Sequence, residues 1–201
     1  MLRPFLAAST VCLLAATPAA YADLSYSYLE GAVFDNSTDT SVSDDEDGKG
    51  FEGRFSYDLL RFLNVYAGTK YTEFDDVPGD LTLIEAGAGV HFSPKALSSI
   101  YLTLGALTID AGGTTISADD DGYAYEVGYR EANKSGKMEF TLSAEHIEFN
   151  DADSGDTTVS MGLMFRATKR MKVTTSVQFA GDENAFKVGV RYYLPNRFDN
   201  P

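Results

Sequence analysis

The sequence predicts an all-β protein: a closed, antiparallel, up-and-down transmembrane β-barrel with ten strands, or with eight as the alternative. Apolar and polar residues alternate with a period of two from Leu24 to Leu194, and helical periodicity is hard to find. Most of the alternating segments have about nine to eleven residues, the length that a tilted strand needs to cross a bilayer. The predicted strands are 24–35, 50–58, 62–74, 81–92, 100–110, 122–131, 138–149, 158–167, 171–180 and 185–194.

The connections between the predicted strands alternate in character. One set is acidic and rich in Ser, Thr, Asp and Gly, as in NSTDTSVSDDEDGK, and Lys49 is its one basic residue. The other set is shorter or basic and contains Arg61, Lys95, Lys134, Lys137, Lys169 and Arg170. Short turns at one end and longer loops at the other are typical of outer-membrane barrels. We therefore expect the basic turns and both ends of the barrel on the periplasmic side.

Each predicted strand has one apolar face and one face that carries charge. In the segment GYAYEVGYR (122–130), the aromatic residues alternate with Glu126 and Arg130. Charges enclosed in a lumen must pair, because an isolated buried ion is very costly. The polar faces carry six acidic and six basic residues, which predicts an ion-paired lumen: Glu30, Glu52, Arg54, Lys70, Glu85, Glu126, Arg130, Glu139, Glu145, Arg166, Lys187 and Arg191. The apolar faces would then meet lipid, with Tyr and Phe near the strand ends in interfacial girdles.

The first residues predict export. Arg3 precedes an apolar run that is too short to span a membrane as a helix, and Ala20-Tyr21-Ala22 is a small-residue cleavage site. Residues 1–22 therefore read as a signal peptide, residues 23–194 as the barrel and residues 195–201 as a periplasmic tail. The expected location is the cell outer membrane.

Composition narrows the classes of function. The single cysteine, Cys12, lies in the predicted signal peptide, so neither disulfides nor thiolate chemistry are expected in the mature chain. Without Arg3, that chain has 15 basic and 30 acidic residues, a net charge of −15. Nucleic acid is an unlikely partner on this balance, because phosphate contacts need clustered Lys and Arg. Tyr and Phe together number 25, a high aromatic content for so acidic a chain.

The residues offer little that points to catalysis. Histidine is limited to His91 and His146, and there is no Gly-x-Ser-x-Gly motif and no metal-spaced histidine pair. A protease of the Asp/His type would need His146 inside or above the lumen, facing paired aspartates. Asp151 and Asp153 are near it in sequence, but His146 shares the outward parity of Ala144. We therefore expect no enzymatic activity and no cofactor.

Two acidic runs are candidates for weak divalent-cation binding. Clustered carboxylates suit a hard cation such as calcium, but neither run has the spacing of an EF-hand loop. A solvated surface loop is the simpler interpretation. The candidate residues are Asp44, Asp45, Glu46, Asp47, Asp119, Asp120 and Asp121.

The segments LSYSYLEGAVF, GYAYEVGYR and FKVGVRYYL resemble an outer-membrane barrel family of xanthomonad-type Gram-negative bacteria. Its members carry the label "sulfation-dependent quorum factor" and are similar to small OmpA/OmpX-like porin-type barrels. The resemblance covers essentially the whole mature chain and implies a ten-stranded outer-membrane barrel; it supplies no catalytic residues. One departure is the segment PNRFDNP after Leu194, where such barrels usually stop on an aromatic residue.

The predicted function is that of a small outer-membrane barrel with a structural or surface-interaction role and at most a narrow, cation-leaning pore. Its expected partners are outer-membrane lipid and lipopolysaccharide, the barrel-assembly machinery during insertion and divalent cations, and a monomer is expected. Two alternatives stay open at this point: a hydrolase at the barrel rim that acts on peptides or lipid A, and a soluble periplasmic ligand-binding barrel.

Overall fold

The computed structural model describes residues 24–38, 48–74, 79–95, 97–113, 118–150, 155–181 and 183–195. The ten strands are β1 (Tyr28–Thr38), β2 (Gly48–Leu60), β3 (Leu63–Phe74), β4 (Gly79–Lys95), β5 (Ser98–Gly113), β6 (Ala118–Ala132), β7 (Met138–Phe149), β8 (Gly155–Arg166), β9 (Met171–Ala180) and β10 (Glu183–Tyr193). None of the described residues forms a helix long and apolar enough to cross a membrane. The predicted signal peptide lies outside the described residues, as does the tail beyond residue 195.

The strands close into one antiparallel barrel in which each strand pairs with its neighbours in sequence. The closing pair is β1 with β10, in a register that sets Val33 opposite Val188 and Glu30 opposite Arg191. Closure removes the two free sheet edges, so the backbone groups of every strand can be paired without water. The prediction of a ten-stranded closed barrel is confirmed.

The barrel is apolar on the outside and polar on the inside. Val33 and Leu104 are 63% and 62% exposed, and large hydrophobic residues are exposed on every strand except β3. Inside, Glu139 is 1% exposed, and Ser56 and Arg130 are also buried. A soluble ligand-binding barrel needs the opposite arrangement, so the alternative of a soluble periplasmic protein is wrong.

The strands on one side of the barrel are longer than the sequence pattern predicts. Strands β4, β5 and β6 have 17, 16 and 15 residues, and the run of Asp120 and Asp121 belongs to β6 rather than to a loop. Pairing explains the difference, because Asp120 lies opposite Ile109 and Asp121 opposite Thr108, so the β5–β6 ladder continues through the acidic run.

The first strand differs in the other direction. The alternation begins at Leu24, but β1 begins only at Tyr28. Leu24, Tyr26 and Ser27 are nonetheless buried. Ser27 still follows the barrel wall, since its carbonyl accepts a hydrogen bond from the Leu194 amide at 2.9 Å. The segment before β1 thus enters the barrel mouth instead of extending the wall.

A glycine makes room for one large side chain on the inner face of the barrel wall. A Cβ on Gly128 of β6 would collide with the ring of Tyr101, which lies opposite it on β5. Without a side chain at this position, Tyr101 can lie flat over the strand, and its hydroxyl reaches Glu126 at 2.8 Å.

We predict that Leu104→Arg destabilises the folded barrel by about 2–4 kcal/mol, the cost of a cation on the lipid face near the bilayer midplane. Leu104 lies in the middle of β5 and points outward. Unfolding by urea in lipid vesicles, followed by the heat-modifiable shift in gel mobility, measures the change.

The matched control is Thr108→Arg on the same face of β5, four residues nearer the rim, where Thr108 lies opposite Asp121. This change adds the same charge but should cost only about 0–1 kcal/mol, because the penalty falls toward the interface. Equal costs at the two positions would contradict the assignment of the lipid-facing belt.

Candidate functional site

The inward side chains enclose a cavity of about 490 Å³ in the lumen. It extends from Tyr26 and Asn64, near the short turns, to Asp156 and Glu183 near the opposite rim. Most of the charged residues predicted for the lumen contribute to its wall or its floor, in three groups along the barrel axis.

The group farthest from the short turns joins β2 to β10 across β1. Glu52 forms an ion pair with Lys187. The buried ring of Phe34 lies beside this pair, 5.6 Å from the ammonium of Lys187 and 4.9 Å from that of Lys70. A ring face attracts cations at this distance, so Phe34 helps to hold both lysines inside the wall. Within the described part of the chain, Lys70 forms no ion pair.

The middle group contains two ion pairs and two tyrosine hydroxyls. Arg191 donates to Glu30 on the neighbouring strand, at 2.9 Å from Nε and 2.5 Å from Nη2. Arg54 lies 3.7 Å from Glu126, which also accepts the hydrogen bond from Tyr101.

The second tyrosine of the middle group donates a hydrogen bond to another carboxylate. Tyr66 donates to Glu85, and the guanidinium of Arg54 lies 4.5 Å above the ring of Tyr66. Glu145 lines the same part of the cavity. Three carboxylates, those of Glu85, Glu126 and Glu145, therefore line the same part of the lumen as the single guanidinium of Arg54.

The group nearest the short turns is centred on Glu139. Its carboxylate is buried between two cations: Arg130 Nη2 lies 2.6 Å from Oε1, and Lys172 pairs with Oε2. Arg130 also reaches the hydroxyl of Tyr193 at 3.4 Å. These contacts link β6, β7, β9 and β10 with little water present, so the loss of one partner would leave an uncompensated buried charge.

Arg166 does not join these groups. It has the inward parity, but it is the last residue of β8, and its side chain is exposed at the rim. The prediction of a lumen position for Arg166 is wrong, because a long side chain at a strand end reaches water beyond the wall.

Sequence reasoning missed two lumen charges, Lys172 and Asp58. Both could have been found by parity: Lys172 alternates with the outward Met171 and Val173, and Asp58 continues the inward series of Arg54 and Ser56.

Asp58 is the anchor of the segment that enters the barrel mouth, residues 24–27, which we call the N-terminal plug. Its carboxylate accepts hydrogen bonds from the amide of Tyr26 at 3.0 Å and from the hydroxyl of Ser27 at 3.2 Å. In return, the amide of Asp58 donates to the Ser27 hydroxyl at 2.9 Å. Its other oxygen lies 3.2 Å from Nε2 of His91, on the polar face as the parity predicts.

The ring of Tyr26 fills the mouth between two side chains. It stacks on the ring of His91 with the centroids 4.1 Å apart. The guanidinium carbon of Arg130 lies 4.5 Å from the centroid of the Tyr26 ring. Its hydroxyl donates to Ser99 at 2.9 Å. Arg130 also donates to the carbonyl of Ser25 at 3.3 Å. Tyr26 is thus the floor of the lumen cavity and is held by groups from β2, β4, β5 and β6.

The acidic runs are not brought together as a cation site in the described part of the chain. Asp44, Asp45, Glu46 and Asp47 lie outside the described residues. Asp119, Asp120 and Asp121 are consecutive residues of β6. The side chains of Asp120 and Asp121 point to opposite faces of this strand, as neighbours in a strand do. The described residues contain no group of three or more acidic, His or Cys ligands placed to hold a metal.

We predict that Glu139→Gln destabilises the barrel by about 3–5 kcal/mol, because Arg130 and Lys172 would be left as buried like charges without a counter-ion. Urea unfolding in vesicles measures the loss. The control is Glu148→Gln on the outer face of the same strand, where the side chain is exposed. A Glu139 variant as stable as this control would refute the role of the buried carboxylate.

Comparisons with known proteins agree with this architecture. A family model described as "Outer membrane protein beta-barrel domain" matches residues 5–192. No curated protein matches the chain.

Among solved structures, the chain is similar to the translocator domain of the autotransporter NalP from Neisseria meningitidis, with 9% identity, a TM-score of 0.46 and coverage of 93% of each chain. It is also similar to a KdgM porin, with 12% identity, a TM-score of 0.45 and coverage of 83% of this chain and 99% of the other. A third is Ail, the attachment invasion locus protein of Yersinia pestis, with 14% identity, a TM-score of 0.39 and coverage of 83% and 97%. On the family match, which spans nearly the whole sequence, the chain belongs to the outer-membrane β-barrel domain family and is a protein of the outer membrane.

Proposed function

We propose that this protein is a structural or surface-interacting barrel whose lumen is closed at the periplasmic end and forms at most a narrow, cation-leaning pore. The observation that carries the proposal is the N-terminal plug, in which Tyr26 and Ser27 are buried in the barrel mouth and bonded to Asp58.

The size of the barrel supports a narrow bore. A closed barrel of eight strands is filled by its own side chains, whereas porins with a wide channel have sixteen or more. Ten strands lie just above the filled size. The paired side chains of Glu52 with Lys187 and of Arg130 with Glu139 occupy part of the remaining space along the wall.

The charges of the cavity support a preference for cations. Among the described residues that line it, seven are acidic and five are basic. The acidic ones are Glu30, Glu52, Glu85, Glu126, Glu145, Asp156 and Glu183, and the basic ones are Arg54, Lys70, Arg130, Lys187 and Arg191. An excess of one sign in a confined space raises the local concentration of ions of the other sign.

The test is single-channel conductance in a planar bilayer, after heat-modifiable migration has shown that each variant is folded. We expect the wild-type barrel to be silent or to give small cation-selective steps. Tyr26→Ala should increase the single-channel conductance and the frequency of channel openings, because it removes the ring that forms the cavity floor. Tyr26→Phe keeps the ring and loses only the hydrogen bond to Ser99, so it should remain closed.

Large, stable channels in the wild-type protein would overturn the proposal. So would equal conductance of the Ala and Phe variants when both are folded. A decrease of cation current in millimolar calcium would support binding of divalent cations to the acidic runs. The proposal includes this binding, contact with lipopolysaccharide and a monomeric state.

The second candidate, a hydrolase at the rim, has little support from the described residues. Nδ1 of His146 lies 2.8 Å from the Thr157 hydroxyl, and its ring packs 5.0 Å from that of the outward-facing Tyr125. His146 is therefore placed on the outer wall, away from the lumen. Asp151 and Asp153 lie outside the described residues. The narrower likeness to the quorum-factor group stands as a hypothesis about relatives and adds no activity to the proposal.

A further inference from the structure

The turns at the periplasmic rim carry a cluster of cations that the lumen does not use. The β6–β7 turn contributes Lys134 and Lys137, and the end of β8 with the β8–β9 turn contributes Arg166, Lys169 and Arg170. All five side chains are exposed, and none of them forms an ion pair within the described part of the chain. We call these five residues the basic rim patch.

The two turns lie side by side and are tied together. Strands β7 and β8 pair with Met138 opposite Phe165, and the Arg166 amide donates to the Lys137 carbonyl at 2.8 Å. Gly136 has a positive φ of 61°, and a Cβ at this position would lie 2.6 Å from Nη2 of Arg166. The guanidinium therefore rests on the neighbouring turn, and the five cations belong to one surface.

The backbone of each turn is held by its own side chains. The Asn133 side-chain oxygen accepts hydrogen bonds from the amide of Lys137 at 3.0 Å and from that of Met138 at 3.3 Å. Thr168 does the same for the amides of Arg170 and Met171, at 3.3 and 3.1 Å. The cations therefore project from rigid turns, which lowers the entropic cost of binding a ligand.

The composition of the patch is opposite to that of the whole chain. The chain has a net charge of −14, yet the segments 133–138 and 164–171 contain no acidic residue. Exposed apolar side chains, those of Met138, Phe165 and Met171, lie immediately beside the cations. Cations that border a lipid-facing apolar belt stand at the depth of the lipid headgroups.

We propose that the basic rim patch binds the phosphate headgroups of anionic phospholipids in the periplasmic leaflet. Lys and Arg donate charge-assisted hydrogen bonds to phosphate oxygens, and Arg can do so with two bonds at once. The patch matches these headgroups in its charge, its depth and the rigidity of its turns. The proposal does not depend on whether the lumen conducts.

The test uses the folded barrel in phosphatidylcholine vesicles with a trace of spin-labelled phosphatidylglycerol or spin-labelled phosphatidylcholine. The fraction of label that is immobilised at the protein gives the relative association constant of the two lipids. We expect about a fivefold preference for phosphatidylglycerol at low salt, the factor that one cation near an anionic surface contributes. The preference should fall in high salt, because the Debye length shortens from about 10 Å at 0.1 M to about 3 Å at 1 M.

The variant K134Q/K137Q/R166Q/K169Q/R170Q should lose the preference, while the barrel stays folded because every changed side chain is exposed. The control K49Q/K95Q also removes positive charge, but from outside the patch, and should keep it. An unchanged preference in the variant with five substitutions, or an equal loss in the control, would overturn the proposal. Inorganic phosphate should weaken the preference more than chloride of equal ionic strength does, because it offers the same acceptor oxygens to the patch.

Discussion

The absence of water around the outer wall is the constraint on which the rest of this structure depends. It requires every strand to be paired on both sides, which is why β1 and β10 meet along their whole length. It also requires that the outward positions be apolar, as Val33 and Leu104 are. Charged residues at the depth of the lipid chains must then face inward, and the lumen becomes the polar core of the protein.

A polar core changes what holds the strands together. In a soluble protein the interior is stabilised by apolar burial, whereas here carboxylates and cations from different strands are paired in the lumen. Glu139 joins Arg130 of β6 to Lys172 of β9, and Glu52 of β2 joins Lys187 of β10. Such pairs are costly to break, because each partner left alone is a buried charge. They therefore define the relative positions of strands that do not touch through the backbone.

The same chemistry fills the barrel mouth near the short turns. Tyr26 is placed between His91 and Arg130, and Asp58 binds the backbone and side chain of the segment before β1. Arg130 takes part in both the Glu139 cluster and the plug, so the seal and the stability of the wall share one residue. At the rim just beyond, the cations have no such partners in the described part of the chain and are exposed.

The sequence by itself determined the class of fold and the face on which most charges lie, because alternation with a period of two is a local property of each strand. It favoured ten strands and left eight open, and the structure has ten. Parity also placed Glu30 and Arg191 on the inner face, where they pair. Only the tertiary structure decided that Tyr26 turns into the barrel mouth and that Arg166 reaches water. It also decided the partners of Asp58 and Lys172, since parity gives the face of a residue but not the side chain that it meets. These outcomes depend on where a strand ends relative to the rim and on which side chains meet inside the barrel. Barrel closure brings together residues more than a hundred positions apart in the sequence, as Glu52 and Lys187 are.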